Sequence, residues 1–381
     1  MNELLSLFPV LFLVYLLQCI ASAPNTSEIF FLGHRMRGRR LRHALQFGRS
    51  QNKIFFLNPF LPSVGAAFVD PPPFMVRRDS AGELLGIEPS FCPASGNWRQ
   101  SCSFGIPHKF TVEETKVVVD GSPFLSVRSE EEAKRLAAFL EKIGATPPKR
   151  RSALLEKYYR NMFSIEAIDK RLGEYSRGTE MLHIACFYLF LFMFLLAPSL
   201  VFFRGLHRLW PILLAYLVVS CWLILWLYRR SHRYLYPLKH GGTLPHMIGI
   251  ALSPFAAIRA NDSLLTDLLA GFHPVAVARH TLPKKEFLEF AGLEMRKMKY
   301  ISSDETLLQF LTEFLALEQV DLGTLFAPPA LENRLSRSFC PVCLTQYVID
   351  TGVCEDCGKI ALKPFSENNR EFRESSSPPL S

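Results

Sequence analysis

Three uncharged apolar runs break the chain into alternating greasy and charged blocks, at residues 4–23, 181–203 and 209–228. They read LLSLFPVLFLVYLLQCIASA, MLHIACFYLFLFMFLLAPSLVFF and LWPILLAYLVVSCWLILWLY. At about 1.5 Å per residue, roughly 20 residues cross a hydrocarbon core of about 30 Å, so each run predicts a transmembrane helix. Trp210, Trp226 and Tyr228 sit at the two ends of the third run, as an interfacial aromatic belt does. Only RGLHR, residues 204–208, separates the second run from the third, which predicts a tight antiparallel hairpin. His183 near the start of the second run reads as a side chain at the membrane edge, with a functional intramembrane group as the alternative. A fourth apolar stretch, LPHMIGIALSPFAAI at 244–258, is short and contains Pro245 and Pro254, so it reads as an interfacial segment.

Between the runs the periodicity changes. Residues 28–150 read as a soluble mixed α/β module, strands first and a closing helix last. KIFFLNPF (53–60) and VGAAFVD (64–70) are strand-like, and Pro71-Pro72-Pro73 interrupts the pattern. KVVVDGSPFLSV (116–127) places Asp120-Gly121 between two apolar runs, a hairpin signal. Ser129 with Glu132 forms a capping box, and Leu136, Phe139, Leu140 and Ile143 mark one helical face. Gly144 and Pro147-Pro148 end that helix. This layout of strands and a closing helix resembles pleckstrin-homology-like membrane modules. Residues 151–180 predict a charged helix leading into the second span. Residues 240–330 predict a helical region: NDSLLTDLLAGF capped at Asn261 or Asp262, the basic helix KKEFLEFAGLEMRKMKY, and SSDETLLQFLTEFLALEQV with a capping box at Ser302 and Glu305. Apolar residues nearly surround the axis of the last of these, so it reads as a core or oligomer helix, and a homo-oligomer is a possible partner state. The polar stretch 366–381 reads as a disordered tail.

Charge orients these blocks. Lys and Arg number 43 against 35 Asp and Glu, a net charge of +8. The excess clusters beside the apolar runs, which marks topology, and nucleic acid is not an expected partner. Arg35, Arg37, Arg39, Arg40 and Arg42 follow the first run, and no Lys or Arg precedes it. This favours an anchor with its N-terminus outside over a signal peptide cleaved after Ala21-Ser22-Ala23. Lys170, Arg171 and Arg177 flank the hairpin on one side, and Arg229, Arg230, Arg233 and Lys239 on the other. The expectation is an integral membrane protein, in contact with the lipid bilayer, whose soluble parts all face the cytoplasm. Cys92 and Cys102 bracket a Pro/Gly-containing loop; export would make them a disulfide, and the cytoplasm leaves them as free thiols.

The strongest chemical signal is CPVCLTQYVIDTGVCEDCGK at 340–359. Two Cys-x2-Cys turns ten residues apart bring four thiolates to one tetrahedral point. This stretch, Cys340 to Gly358, resembles the zinc-ribbon family. The resemblance implies a small ribbon over 335–363, with Cys340, Cys343, Cys354 and Cys357 as ligands of a structural Zn2+ and Gly358 in the turn after the fourth. Iron is the alternative metal, as in the related rubredoxin knuckle, and a pair of redox dithiols is the alternative chemistry. Four thiolates leave no open position for water, which argues against hydrolytic catalysis. GxGxxG, GxxxxGK[ST], HExxH and GxSxG are all absent. The fold class expected is therefore a multi-domain integral membrane protein with a mixed α/β module, a transmembrane hairpin, a helical C-terminal region and a zinc ribbon. The function expected is a membrane-anchored scaffold or adaptor, not an enzyme, whose ribbon docks a protein partner. The alternative is a membrane-embedded enzyme or transport accessory using His240, His246, Asp262 or His273 at the cytoplasmic edge of the hairpin.

Overall fold

The structure is a computed structural model. It describes residues 7–33, 38–41, 52–80, 83–90, 98–128, 130–237, 243–301, 304–333 and 335–365. Cys92, Ser129, Lys239, His240, Ser302 and the tail at 366–381 lie outside them, as do Arg35, Arg37 and Arg42.

The chain is mixed α/β, with two helices long and apolar enough to cross a membrane. In order, its elements are α1 (Leu7–Gln18), β1 (Ile20–Pro24), β2 (Glu28–Leu32), β3 (Gly38–Arg40), β4 (Asn52–Phe56) and β5 (Gly65–Val69). Next come β6 (Phe74–Arg78), β7 (Leu84–Pro89), β8 (Cys102–Ser103), β9 (Phe110–Glu113), β10 (Lys116–Val119), β11 (Ser122–Ser126), α2 (Glu130–Ala145) and α3 (Pro148–Met162). The long helices follow: α4 (Ile165–Leu191), continued through a π-turn (Phe192–Leu196) into α5 (Ala197–Arg204), and then α6 (Leu206–Leu235). Short helices α7 (Leu244–Leu252), α8 (Pro254–Ile258), α9 (Asp262–Thr266) and α10 (Pro274–Thr281) lead to α11 (Lys284–Tyr300), α12 (Glu305–Leu317) and α13 (Leu322–Leu325). The chain closes with β12 (Ser338–Phe339), β13 (Gln346–Tyr347), β14 (Val353–Cys354), β15 (Ile360–Ala361) and β16 (Lys363–Pro364).

These elements form two compact units, Met1–Pro71 with Asn161–Leu282, and Pro72–Arg160 with Pro283–Ser381. The expected module at 28–150 is thus divided at the proline run. Strands β2 and β5 belong to the first unit, in the sheet β3-β2-β5, and β6 to β11 to the second, in the sheets β6-β7-β8 and β11-β10-β9. Among the described residues no continuous sheet joins these strands into the expected pleckstrin-like layout. The helical region expected at 240–330 divides in the same way, at Pro283.

In the first unit the apolar run at 4–23 is not one helix. Helix α1 stops at Gln18, and Ile20–Pro24 pairs antiparallel with Asn52–Phe56. The residues IASAP have little strand preference of their own, and pairing with β4 in a two-stranded sheet supplies partners for their backbone groups. Phe12 and Tyr15 of α1 lie 5.3 and 5.1 Å from the Phe194 ring, and the Tyr15 hydroxyl donates to the Pro59 carbonyl at 3.0 Å. The helix therefore packs on the turn that links α4 to α5. The charged helix expected at 151–180 breaks at Phe163-Ser164, where the Ser164 hydroxyl accepts from the Ala167 amide and starts α4. The hairpin linker contracts from RGLHR to Gly205 alone, whose φ of +79° lies in the left-handed region. His183, expected at the membrane edge, is buried in the bundle with its Nε2 3.1 Å from the Tyr175 hydroxyl.

A buried ion pair closes the base of this unit. The Arg259 guanidinium donates from Nε to Asp262 Oδ2 at 2.7 Å and from Nη2 to Oδ1 at 3.1 Å. It also donates to the carbonyls of Asn58 at 3.2 Å and Val64 at 3.3 Å, fastening the β4–β5 loop to the α8–α9 turn. Arg259→Gln leaves one carboxylate and two carbonyls without their donor. It is expected to cost about 3 kcal/mol or more. Thermal unfolding of the purified chain checks this, and an unchanged midpoint would show that the clasp is dispensable.

In the second unit the expected hairpin is present: β10 and β11 pair antiparallel across Asp120-Gly121, with φ of +52° and +83°. Helix α2 packs Ala133, Leu136, Leu140 and Ile143 inward, the face that the sequence marks. The cap of α12 is Asp304, whose carboxylate accepts from the Leu307 amide.

Candidate metal centre

The two Cys-x2-Cys turns are built by strand ends and left-handed backbone. Strand β12 delivers Cys340, whose amide donates to the Thr345 carbonyl at 2.9 Å, while the Leu344 amide donates back to the Cys340 carbonyl at 2.9 Å. Leu344 reaches this turn at φ +63°, and the Val342 amide points at the Cys340 sulfur at 3.4 Å. The second turn repeats the design. The Lys359 amide donates to the Cys354 carbonyl at 2.9 Å, with Gly358 at φ +75° and Lys359 at φ +66°. The β14–β15 hairpin holds it, with Cys354 opposite Ile360.

The two turns meet. All four sulfurs, of Cys340, Cys343, Cys354 and Cys357, lie within 4.8 Å of one another, and those of Cys343 and Cys354 are 3.8 Å apart. A tetrahedral ion with metal–sulfur bonds of about 2.3 Å separates its sulfurs by about 3.8 Å, so the cluster matches a four-thiolate centre in size and donor type. Cys340 and Cys354 are fully buried, and Cys343 and Cys357 are half-buried. The four cysteines singled out in the sequence are brought together in one cluster that could hold a metal ion. Among the described residues this is the one His/Cys/Asp/Glu group with metal-holding geometry.

No family model, curated protein or solved structure matches this chain. The chemistry of the centre rests on its own geometry.

Its surroundings are specific. The Tyr347 hydroxyl donates to the Cys354 sulfur at 3.2 Å, and Thr345 Oγ1 lies 3.1 Å from the Cys343 sulfur. Val342 and Leu362 form a small core with Cys340 and Cys354, and Leu293 and Tyr300 of α11 pack against it. The ribbon is therefore seated on a helix. Arg296, absent from the sequence-based site, lies beneath the first turn. Its Nε donates to the Val342 carbonyl at 2.9 Å and its Nη1 to the Leu325 carbonyl at 2.7 Å.

The thiols differ in acidity. Burial pushes the Cys340 and Cys357 thiols up. Burial acts in the same sense on Cys354, but hydrogen bonds from the Tyr347 hydroxyl, the Cys357 amide and the neighbouring thiols overcome it and bring the group to about 7. A metal that takes up these sulfurs displaces their protons. Affinity is therefore expected to rise with pH between about 6 and about 8, as chelator competition corrected for the chelator's own protonation would measure. A pH-independent affinity would contradict ligation by four thiols.

Of the residues of the alternative enzyme reading, His240 lies outside the described residues, and Asp262, His273 and His246 are each engaged or exposed separately. Asp262 is engaged by Arg259; burial lifts its carboxyl to about 6 against the pull of that guanidinium. His273 is buried, stacks on Phe163 at 4.5 Å and accepts the Val275 amide through Nδ1 as the cap of α10. Burial lowers its pKa to about 3, so the ring is neutral. His246 is exposed on α7. No hydrogen bond or ion pair among the described residues joins these three side chains. His280 pairs with Asp169 at 3.1 Å. Cys102 is a buried free thiol whose acidity burial weakens, to a pKa of about 11.

Proposed function

We propose that the chain is a membrane-anchored scaffold or adaptor whose soluble parts face the cytoplasm and whose structural zinc ribbon docks a protein partner. The membrane part of this reading rests on surface. The Ile165–Arg204 helix has 33% of its apolar window buried and the Leu206–Leu235 helix 11%, which leaves Ile212, Val219, Trp222 and Trp226 more than half exposed. A core helix of a soluble protein would be covered, and lipid supplies the missing cover. The basic flanks argue for the side: Lys170, Arg171 and Arg177 before the hairpin and Arg229, Arg230 and Arg233 after it favour the cytoplasmic face. Reduced thiols suit that compartment.

Zinc is preferred to iron because the spacer is short and Glu355, not proline, follows Cys354. The ion would be held by the four thiolates and would supply folding energy, with no open position for a substrate. The observation that carries the docking role is an apolar rim on this closed module. Val348 is 62% exposed and Ile349 48%, directly after the edge strand β13, and Val353 on β14 is 43% exposed. A structural module with no catalytic position and an uncovered apolar rim fits a binding surface best. The test is a photo-crosslinking side chain placed at Val348 of the full chain in cells, with Glu130 on α2 as the control position. A discrete adduct from Val348, lost in Cys354→Ser, is the expected result. Equal adducts from both positions, or none, would rule the docking role out.

A further inference from the structure

The helical support of the ribbon contains a buried cation with no carboxylate. Arg296 is 8% exposed, and among the described residues no Asp or Glu pairs with it. Its guanidinium spends its donors on two backbone carbonyls, Val342 in the first Cys turn and Leu325 in α13. Burying an arginine without a counter-ion is costly, and most such groups are paired. Val342 links it to the cluster: its carbonyl takes the Arg296 Nε at 2.9 Å while its amide points at the Cys340 sulfur at 3.4 Å. Four thiolates around a divalent ion carry a net charge of −2, and this guanidinium is the cation seated beneath them.

The helix makes room for this side chain. A Cβ on Gly292, one turn before Arg296, would fall 2.9 Å from Nη1 and 3.5 Å from the Leu325 side chain. A glycine inside a helix costs roughly 0.5–1 kcal/mol relative to alanine, and here it clears the path of the guanidinium to both carbonyls.

We infer that Arg296 is the positioning group of the metal centre: it holds the first Cys turn against α11 and α13 and offsets the charge of the metal–thiolate cluster. Metal occupancy is thereby coupled to the order of the helices beneath the ribbon. This rests on the metal reading above and adds the residue through which the metal acts on the rest of its unit. Partners one step beyond the ligands tune metal affinity, commonly by about 10- to 100-fold.

The experiment uses the full chain in nanodiscs, reconstituted with Co2+ or Zn2+, and compares the native protein with Arg296→Gln, Arg296→Lys and Gly292→Ala. Cobalt absorption reports the ligand set. Chelator extraction reports how firmly the ion is held, and amide exchange over 284–300 and 322–325 reports helical order. All four proteins are expected to show the sulfur-to-cobalt band of a tetrahedral centre. Arg296→Gln is expected to lose the ion about 10- to 100-fold faster. Arg296→Lys, which keeps the charge but not the fork, and Gly292→Ala, which keeps both but displaces them, should fall in between. Removing the ion from the native chain should raise exchange in both helices, and in Arg296→Gln exchange should already be raised with metal bound. A native cobalt band with unchanged extraction from Arg296→Gln would overturn the role of Arg296 alone. The absence of a cobalt band in the native chain would overturn the metal reading and this inference with it.

Discussion

Cys354→Ser is expected to leave the chain without bound metal and the ribbon over 335–365 without a stable fold. The module's buried core is Cys340, Val342, Cys354 and Leu362, two of whose four members belong to the cysteine cluster. So little apolar area does not order thirty residues, and metal binding worth about 10 kcal/mol or more takes its place in modules of this size. Serine offers a hard oxygen where a soft sulfur is required, in a fully buried site whose neighbours Tyr347 and Cys343 both point at that sulfur. Metal content per chain and limited proteolysis measure the effect. One ion per native chain, none in the variant, and new cleavage confined to the ribbon are expected. Cys221→Ser, in a long apolar helix of the other unit, should retain the full metal content. A Cys354→Ser chain that kept both metal and protease resistance would show that the cluster is not a metal site.

Asp304→Ala is expected to open the second unit away from the ribbon. The Asp304 carboxylate is 2% exposed and collects donors from three elements: the Val76 amide of β6 at 3.1 Å, the Tyr159 hydroxyl of α3 at 2.9 Å and the Leu307 amide of α12 at 2.9 Å. Burial raises its pKa, and these hydrogen bonds oppose the rise, so the group is useful to the fold because every donor is met. Alanine strands three buried donors, each costing about 1–3 kcal/mol, and removes the cap of α12. A loss of about 4 kcal/mol corresponds to roughly a thousandfold faster opening, readable as amide exchange over 74–78 and 305–317. Tyr159→Phe, which removes one of the three donors, should open the same segments by about tenfold or less. Exchange that is unchanged in Asp304→Ala would show that these elements are held by packing alone.

What the sequence made legible is local. The cysteine cluster could be named because a Cys-x2-Cys turn is defined by its own backbone, and two such turns within 18 residues need little help from the fold. Helix α2 and the β10–β11 hairpin were readable for the same reason, through periodicity, Pro147-Pro148 and Asp120-Gly121. The end of α1 was not. IASA continues an apolar run, and only pairing with Asn52–Phe56, some thirty residues away, makes it a strand. The division into two units was marked by Pro71-Pro72-Pro73 and Pro283. Their meaning depends on which distant helices each strand joins, and that is not a local property. The cap of α12 shifted from Ser302 to Asp304 because the carboxylate also serves Val76 and Tyr159, partners that no capping pattern records. Arg296 was hidden inside a helix that reads as basic and amphipathic. Its one local sign is Gly292, a helix-weakening residue one turn earlier.

The central claim is that a membrane chain holds a closed four-thiolate metal centre on its cytoplasmic side. The most direct measurement is labelling of Cys340, Cys343, Cys354 and Cys357 by a membrane-impermeant thiol reagent, read by mass spectrometry in intact cells, in lysed cells and in lysed cells with chelator. The account predicts no labelling in intact cells, little after lysis, and full labelling once chelator is added. Labelling in intact cells would place the ribbon outside. Full labelling after lysis without chelator would mean that no metal protects the sulfurs.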